Sequence, residues 1–159
     1  MQRSPAISIV VPAYNEEKLI GRCLASLKNQ DFSGLYEIIV VNNNSVDKTE
    51  EIARTFNVRV ITESMQSVVA ARDRGLRAAR GDIVVGADCD CVYPPHWLKT
   101  IYAEFADPKT VAAGGPAIAE KIPYCAYLTY KLGFNMVKFL NKITGQVLYL
   151  GGFNLAFRR

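Results

Sequence analysis

Short runs of β-branched residues alternate along the chain with segments whose apolar positions recur at helical spacing. ISIVVP (7–12) is a compact apolar run that stops at Pro12. In NEEKLIGRCLASLKNQ (15–30), Leu19, Ile20, Cys23, Leu24 and Leu27 share one helical face, with Asn15 expected as N-cap and glutamates in the first turn. YEIIVVN (36–42) holds consecutive apolar β-formers, the pattern of a strand covered on both faces. Ser45 is expected to cap a second helix carrying Ile52, Ala53 and Phe56. VRVIT (58–62) predicts a third strand, SVVAARDRGLRAAR (67–80) a third helix with Gly81 as its stop, and DIVVGA (82–87) a fourth strand. Pro94 and Pro95 open PHWLKTIYAEFA, a fourth helix over Trp97, and TVAAGG (110–115) reads as a fifth strand.

This alternation implies a mostly parallel sheet with right-handed crossovers and helices on both faces. Ligands of such sheets sit beyond the carboxyl ends of the strands. There fall PAYNE, NNNS and DCDC, three polar clusters on one rim. No repeat or linker divides the chain: residues 1–120 read as a core and 121–159 as a further region of the same domain. In that region Lys131, Asn135, Lys138 and Lys142 form one polar stripe on an otherwise apolar helix. The stripe fits a helix packed on this domain or on further chain, or an interfacial helix with lysines toward anionic lipid, a peripheral membrane contact.

Composition narrows the class. Half of the 159 residues are hydrophobic and 21% are charged, as in a globular domain with a real core. A net charge of +4 suits a protein that handles anionic small molecules or nears a lipid surface, and does not call for nucleic acid. The four cysteines show no CxxC pairing and no secreted-scaffold density, so a reducing cytoplasm, or the inner face of its membrane, is the expected location. No secretory signal pattern opens the sequence and no charge-free apolar run is long enough to span a bilayer. The final GGFNLAFRR alternates toward two arginines without a tail, and is expected to be a cut in mid-architecture.

VVGADCDCVYPPHWL (84–98) poses the chemical question, because Asp88 and Asp90 stand at the open end of a buried strand. Side by side they repel, so a positive partner is required. Carboxylates spaced i, i+2 can turn toward one divalent ion, and such oxygen ligands suit Mg²⁺ or Mn²⁺, usually completed by substrate phosphates. A lone DxD is a weak signal whose ordinary meaning is two solvated loop acids. Zinc on Cys89 and Cys91 is disfavoured, because thiols and carboxylates so close on one strand end cannot close a tetrahedron unaided. His96, the one histidine, is expected at the surface or as a cap.

VVPAYNE, VVNNNSVDKT, AARDRG and DCDC…PPHWL, in this order, resemble the GT-A fold glycosyltransferases of family 2, and the likeness runs from about Ile7 to the last residue. The resemblance implies an α/β, Rossmann-like GT-A three-layer sandwich and an inverting, metal-dependent transfer from a UDP- or GDP-linked sugar. The acceptor would be a glycan or a polyprenyl or other lipid-linked molecule. It places Pro12, Ala13, Tyr14 and Glu16 along the nucleotide. Asn42 stands where many members have a base-reading aspartate, and Asn43 and Asn44 replace a commoner acid and glycine. Arg72 matches an arginine near the nucleotide. Asp88, Cys89 and Asp90 match the donor and metal site, with Asp88 and Asp90 on the cation. Gly152 and Asn154 fall on the acceptor side, and the general base is expected beyond Arg159, leaving the chain a poor catalyst by itself. Arg74, Arg77 and Arg80 read as a solvated face. Rival readings fit less well. A receiver-type module wants acids after its first strand, a dinucleotide oxidoreductase wants GxGxxG, and a sugar-phosphate nucleotidyltransferase wants a glycine-rich first loop. A non-catalytic nucleotide-binding module remains the alternative.

Overall fold

A computed structural model describes residues 4–115, 132–133, 135–137, 143 and 154–159. The elements are β1 (Ile7–Ala13), α1 (Ile20–Lys28), β2 (Tyr36–Asn42), α2 (Thr49–Thr55), β3 (Arg59–Thr62), α3 (Val68–Ala78), β4 (Ile83–Gly86), α4 (Trp97–Glu104), β5 (Ala112–Gly114) and β6 (Leu155–Arg158). The strands form a six-stranded sheet in the order β3-β2-β1-β4-β6-β5. β3, β2, β1 and β4 run parallel, while β6 is antiparallel to both β4 and β5. The expected mostly parallel sheet is therefore present.

Alternation along β1 explains the layers. Ile7, Ile9, Val11 and Ala13 point to one face, where they meet Ile20, Cys23, Leu24 and Leu27 of α1, Ala53 of α2, and Leu98 and Ile101 of α4. Val10 points to the other, joining Ile39, Val41 and Val84 under Ala71 and Ala79 of the α3 segment. Helices thus cover both faces, three against one, which is why the central strands read as unbroken apolar runs. α3 gets close to the sheet only because residue 75 is glycine: a Cβ there would lie 2.2 Å from Val10 Cγ1 and 3.1 Å from Val41 Cγ2.

Several local expectations are corrected. α1 starts at Ile20 with no acid in its first turn. Asn15 does not cap it, but sits in the left-handed region (φ 54°), accepting from Val46 N–H while its own N–H donates to Ser45 Oγ. Ser45 is thereby occupied across the loops, and Asp47 takes the turn before α2 by accepting from Thr49 N–H at 3.0 Å. Glu16 N–H donates to Thr49 Oγ1 and Glu17 N–H to Asp47, so the loops after β1 and β2 are tied into one rim. Ser67 does cap α3, accepting from Ala70 N–H. Gly81 is not a left-handed stop: α3 ends in an extended Ala79, and Gly81 is needed because a Cβ would meet Ser8 N at 2.6 Å and Ile7 C at 2.7 Å. Pro94 and Pro95 precede α4 instead of opening it. The carbonyls ending α3 accept from guanidinium groups, Ala78 O from Arg59 and Ala79 O from Arg159.

The amphipathic helix expected after residue 121 falls, with Lys131, Lys138, Lys142 and Gly152, outside the described residues; of its stripe, Asn135 is helical and exposed. Among the described residues no helix is long and apolar enough to cross a membrane.

Candidate active site

A cleft of about 440 Å³ opens across the carboxyl ends of the parallel strands. β1 contributes Pro12 and Ala13, and the turn after it Tyr14 and Glu16. The end of β4 supplies Asp88, Cys89 and Asp90. Asn43, Gln66, Ser67 and Val68 close the other side, from the ends of β2 and β3 and the start of α3.

The acid pair is held in a tight turn, not in extended chain: Cys91 N–H donates to Asp88 O at 3.3 Å. Tyr93 pins this turn from beneath, its hydroxyl accepting from Asp88 N–H at 2.8 Å and donating to Asp88 O at 3.2 Å. Tyr93 is placed in turn by α1, whose Ser26 Oγ accepts its N–H at 3.0 Å. Cys23 Sγ donates to the same Asp88 carbonyl. The backbone of Asp88 is therefore fixed by buried side chains, and its carboxylate projects from a rigid seat.

Part of the positive charge that the acid pair calls for comes from Arg72, expected from the sequence only near the nucleotide, whose Nη2 donates to Asp88 Oδ1 at 3.0 Å. With side chains 42% and 31% exposed, this pair adds little stability. What it does is orient: it ties α3 to the β4 turn and engages one Asp88 oxygen. Asp90 is exposed, and among the described residues its carboxylate takes only a 3.4 Å contact from Cys91 Sγ to Oδ1. Glu16 faces the same negative field. Burial pushes its carboxyl above the ordinary value, and the charges of Asp90 and Asp47 push it further. Burial also raises the thiols, Cys89 to about 12 and Cys91 to about 11, so both stay protonated and neutral at pH 7.

Among the described residues the cleft thus carries three carboxylates, Glu16, Asp88 and Asp90, against the one guanidinium of Arg72 on Asp88, an excess of negative charge that a cation would relieve. Among the described residues no three His, Cys, Asp or Glu side chains are grouped to hold a metal ion unaided. The free oxygens of Asp90 and Asp88 are hard donors, and a Mg²⁺- or Mn²⁺-sized ion on them would need its remaining ligands from water or substrate, as such ions commonly take them. The residues present fit that arrangement.

Of the residues expected here, Pro12, Ala13, Tyr14, Glu16, Asp88, Cys89 and Asp90 line the cleft. Arg72 reaches it through Asp88. Asn42 and Asn44 do not line it. Asn42 is buried, donating to Glu50 Oε2 at 2.6 Å and accepting from Ser45 N–H at 3.1 Å. Asn44 is exposed in the left-handed region, where Asn is among the residues that tolerate positive φ. Asn154, at φ 54°, lies apart, accepting from Trp97 Nε1 at 2.7 Å. The sequence places Asn43 on the rim within NNNS without giving it a role, while Gln66, Ser67 and Val68 are lining residues that it does not single out. The available signal was position alone, since each follows a parallel strand on the rim where ligands bind.

The family model for glycosyl transferase family 2 matches residues 8–159. Glycosyltransferase AglE of Haloferax volcanii is 35% identical over 102 residues, covering 60% of this chain and 34% of that protein. Among solved structures, the mannosyltransferase PcManGT from Pyrobaculum calidifontis in complex with GDP-Man and Mn²⁺ matches with TM-score 0.67 at 28% identity, over 74% of this chain and 37% of its own. S. aureus TarS 1-349 in complex with UDP-GlcNAc matches with TM-score 0.61 at 27% identity, over 74% and 36%. This chain spans about a third of the length of each of these relatives. With a family model matched from β1 through β6, a mostly parallel sheet shared with these transferases and an acidic cleft on its rim, the chain belongs to glycosyl transferase family 2.

Proposed function

We propose that the cleft binds a nucleoside-diphosphate sugar, UDP- or GDP-linked, together with Mg²⁺ or Mn²⁺ on Asp90 and Asp88. In this reading the protein passes the sugar, with inversion, to a glycan or lipid-linked acceptor. The observation that carries the reading is the acid pair: two carboxylates on a rigid turn, one partnered by Arg72 and one left open, facing a cleft that also holds Glu16. PcManGT and TarS, whose structures hold GDP-Man with Mn²⁺ and UDP-GlcNAc, support the donor class.

Dimensions agree. The cleft runs from β4 past β1 and β2 to β3, three strand spacings of about 4.8 Å, or roughly 14 Å. That is room for a nucleoside diphosphate, with its phosphates at the β4 acids and its base toward β3. Leaving-group charge is the main electrostatic problem in breaking a sugar–phosphate bond. A bound divalent ion would supply Lewis-acid stabilisation of that charge. The chain itself sets the geometry. Tyr93 and Cys23 hold the Asp88 backbone, Arg72 brings fixed positive charge to the phosphate end, and the tied loops after β1 and β2 keep Pro12, Ala13 and Tyr14 in place for the nucleoside. Tyr14, 43% exposed, offers an aromatic surface to it. A membrane-side acceptor and a cytoplasmic location at the inner face belong to the same proposal. They rest on the apolar segment from 124 to 150.

Calorimetric titration of the chain with UDP and GDP, with and without Mn²⁺, tests the reading. Metal-dependent binding that disappears in Asp90→Ala is the expected result. Binding indifferent to both Mn²⁺ and Asp90 refutes it and leaves the non-catalytic nucleotide-binding module, and binding of neither nucleotide refutes both.

A further inference from the structure

Resting on the orientation above, base toward β3, the residues at that end of the cleft can be asked what they do. Asn43 is 4% exposed and its carboxamide is largely spent on the loop that follows β3. Nδ2 donates to Glu63 O at 3.1 Å and to Met65 O at 2.6 Å, and Oδ1 accepts Ser67 N–H at 2.9 Å. Both amide hydrogens and one acceptor position are used in crossing to residues 63–67. The backbone adds its own tie, Asn43 N–H to Ala13 O at 2.8 Å. One side chain thus bridges the ends of β2 and β3 and lays the loop along the cleft. Gln66, between two latched positions, is exposed, lines the cleft, and makes no hydrogen bond to any described residue. It brings a donor and an acceptor to the end of the cleft where Val68 and the ring of Tyr14 supply apolar surface.

We propose that Asn43 is a positioning residue that latches the 63–67 loop, and that the latch presents Gln66 as the residue discriminating between nucleobases. The chemistry requires an amide at 43. A carboxylate has no hydrogen to give two carbonyl oxygens and would repel them, so Asn43→Asp changes almost no volume while reversing the interaction. It also requires a free amide at 66, able to pair with the polar edge of one base better than another.

The test is titration of the chain with UDP, GDP, CDP and ADP in saturating Mn²⁺, for the parent, Gln66→Ala and Asn43→Asp, with melting temperature recorded for each. Gln66→Ala is expected to narrow the affinity ratio between the best and worst base by about fivefold, the worth of one hydrogen bond, with Mn²⁺ dependence intact. Asn43→Asp, which loses both donations to the carbonyls of Glu63 and Met65, is expected to narrow the same ratio and to lower the melting temperature, an effect independent of any nucleotide. Unchanged base ratios in Gln66→Ala, with the parent binding normally, overturn the inference alone. An unchanged melting temperature in Asn43→Asp overturns the latch. A parent chain that binds no nucleotide overturns the donor-site reading on which both rest. Should Asn43→Asp fail to fold, Gln66→Ala still decides the selectivity claim.

Discussion

Two glycines on helix surfaces make a matched experiment on what holds α3 to the sheet. Gly21 lies in the first turn of α1 and Gly75 in the interior of α3, so alanine gains helix propensity at both, up to about 1 kcal/mol and less at the helix start. Their surroundings differ. At Gly21 the new methyl would lie 3.8 Å from Ile52 Cγ2, an ordinary contact. At Gly75 it would lie 2.2 Å from Val10 Cγ1. Carbon atoms rest about 3.5–4.0 Å apart, so something must retreat by more than ~1 Å. Val10 is 4% exposed and branched at Cβ, and has nowhere to turn; the helix must move. Overpacking of this kind costs about 1–3 kcal/mol, so Gly75→Ala should end neutral to ~2 kcal/mol less stable, while Gly21→Ala gains up to ~1. At roughly 2–4 °C per kcal/mol for a chain of this size, a gap of about 1–3 kcal/mol should set the two variants about 2–12 °C apart in melting temperature, measured by circular dichroism. The functional echo follows from position. Arg72 stands one turn before Gly75, so lifting α3 draws its guanidinium from Asp88, and Gly75→Ala should bind UDP or GDP more weakly while Gly21→Ala does not. Equal melting temperatures for the two variants would refute the claim that α3 is seated by glycine at 75.

Two further outcomes can be checked. The Glu50 carboxyl is held below its ordinary 4.5 by hydrogen bonds from Arg54 and Asn42. Its stabilising effect is therefore complete above the unfolded value and lost as pH falls through the lower folded one, so Glu50→Gln should flatten the fall in melting temperature as the solution is acidified below the ordinary carboxylate value. Trp97→Phe removes the donor to Asn154 Oδ1 and part of a ring that is 6% exposed, and should cost about 2–3 kcal/mol in urea unfolding, with the loosening felt first at β6.

The four β-α units could be read from the sequence because strands buried on both faces leave unbroken apolar runs, and α1, α3 and α4 show their inward residues at helical spacing. The place of the acids at the end of β4 could be read too, although Asp-Cys-Asp alone is a weak signal and gained meaning only from its position on the ligand-binding rim and from the motifs around it. What escaped was decided by partners distant in sequence. Asn15 looks like a cap, yet its side chain answers to Val46, and Ser45 answers back to Asn15. Asn42 and Asn43 are adjacent amides whose difference is only direction, one turned to Glu50 and the other to the loop at 63–67. β6 carried an alternating pattern but no clue that it would insert between β4 and β5, because pairing with Ile83, Val84 and Val85 is set by tertiary contact.

That insertion has a bearing on how the protein is made. A ribosome will have released the acid-bearing turn after β4 long before it delivers the strand that shields β4's flank, and β5 pairs with β6 alone among the described residues. Among the described residues, the edge of β4 beside the cleft finds its strand partner only when Leu155–Arg158 docks, so strand pairing at this margin comes last in synthesis.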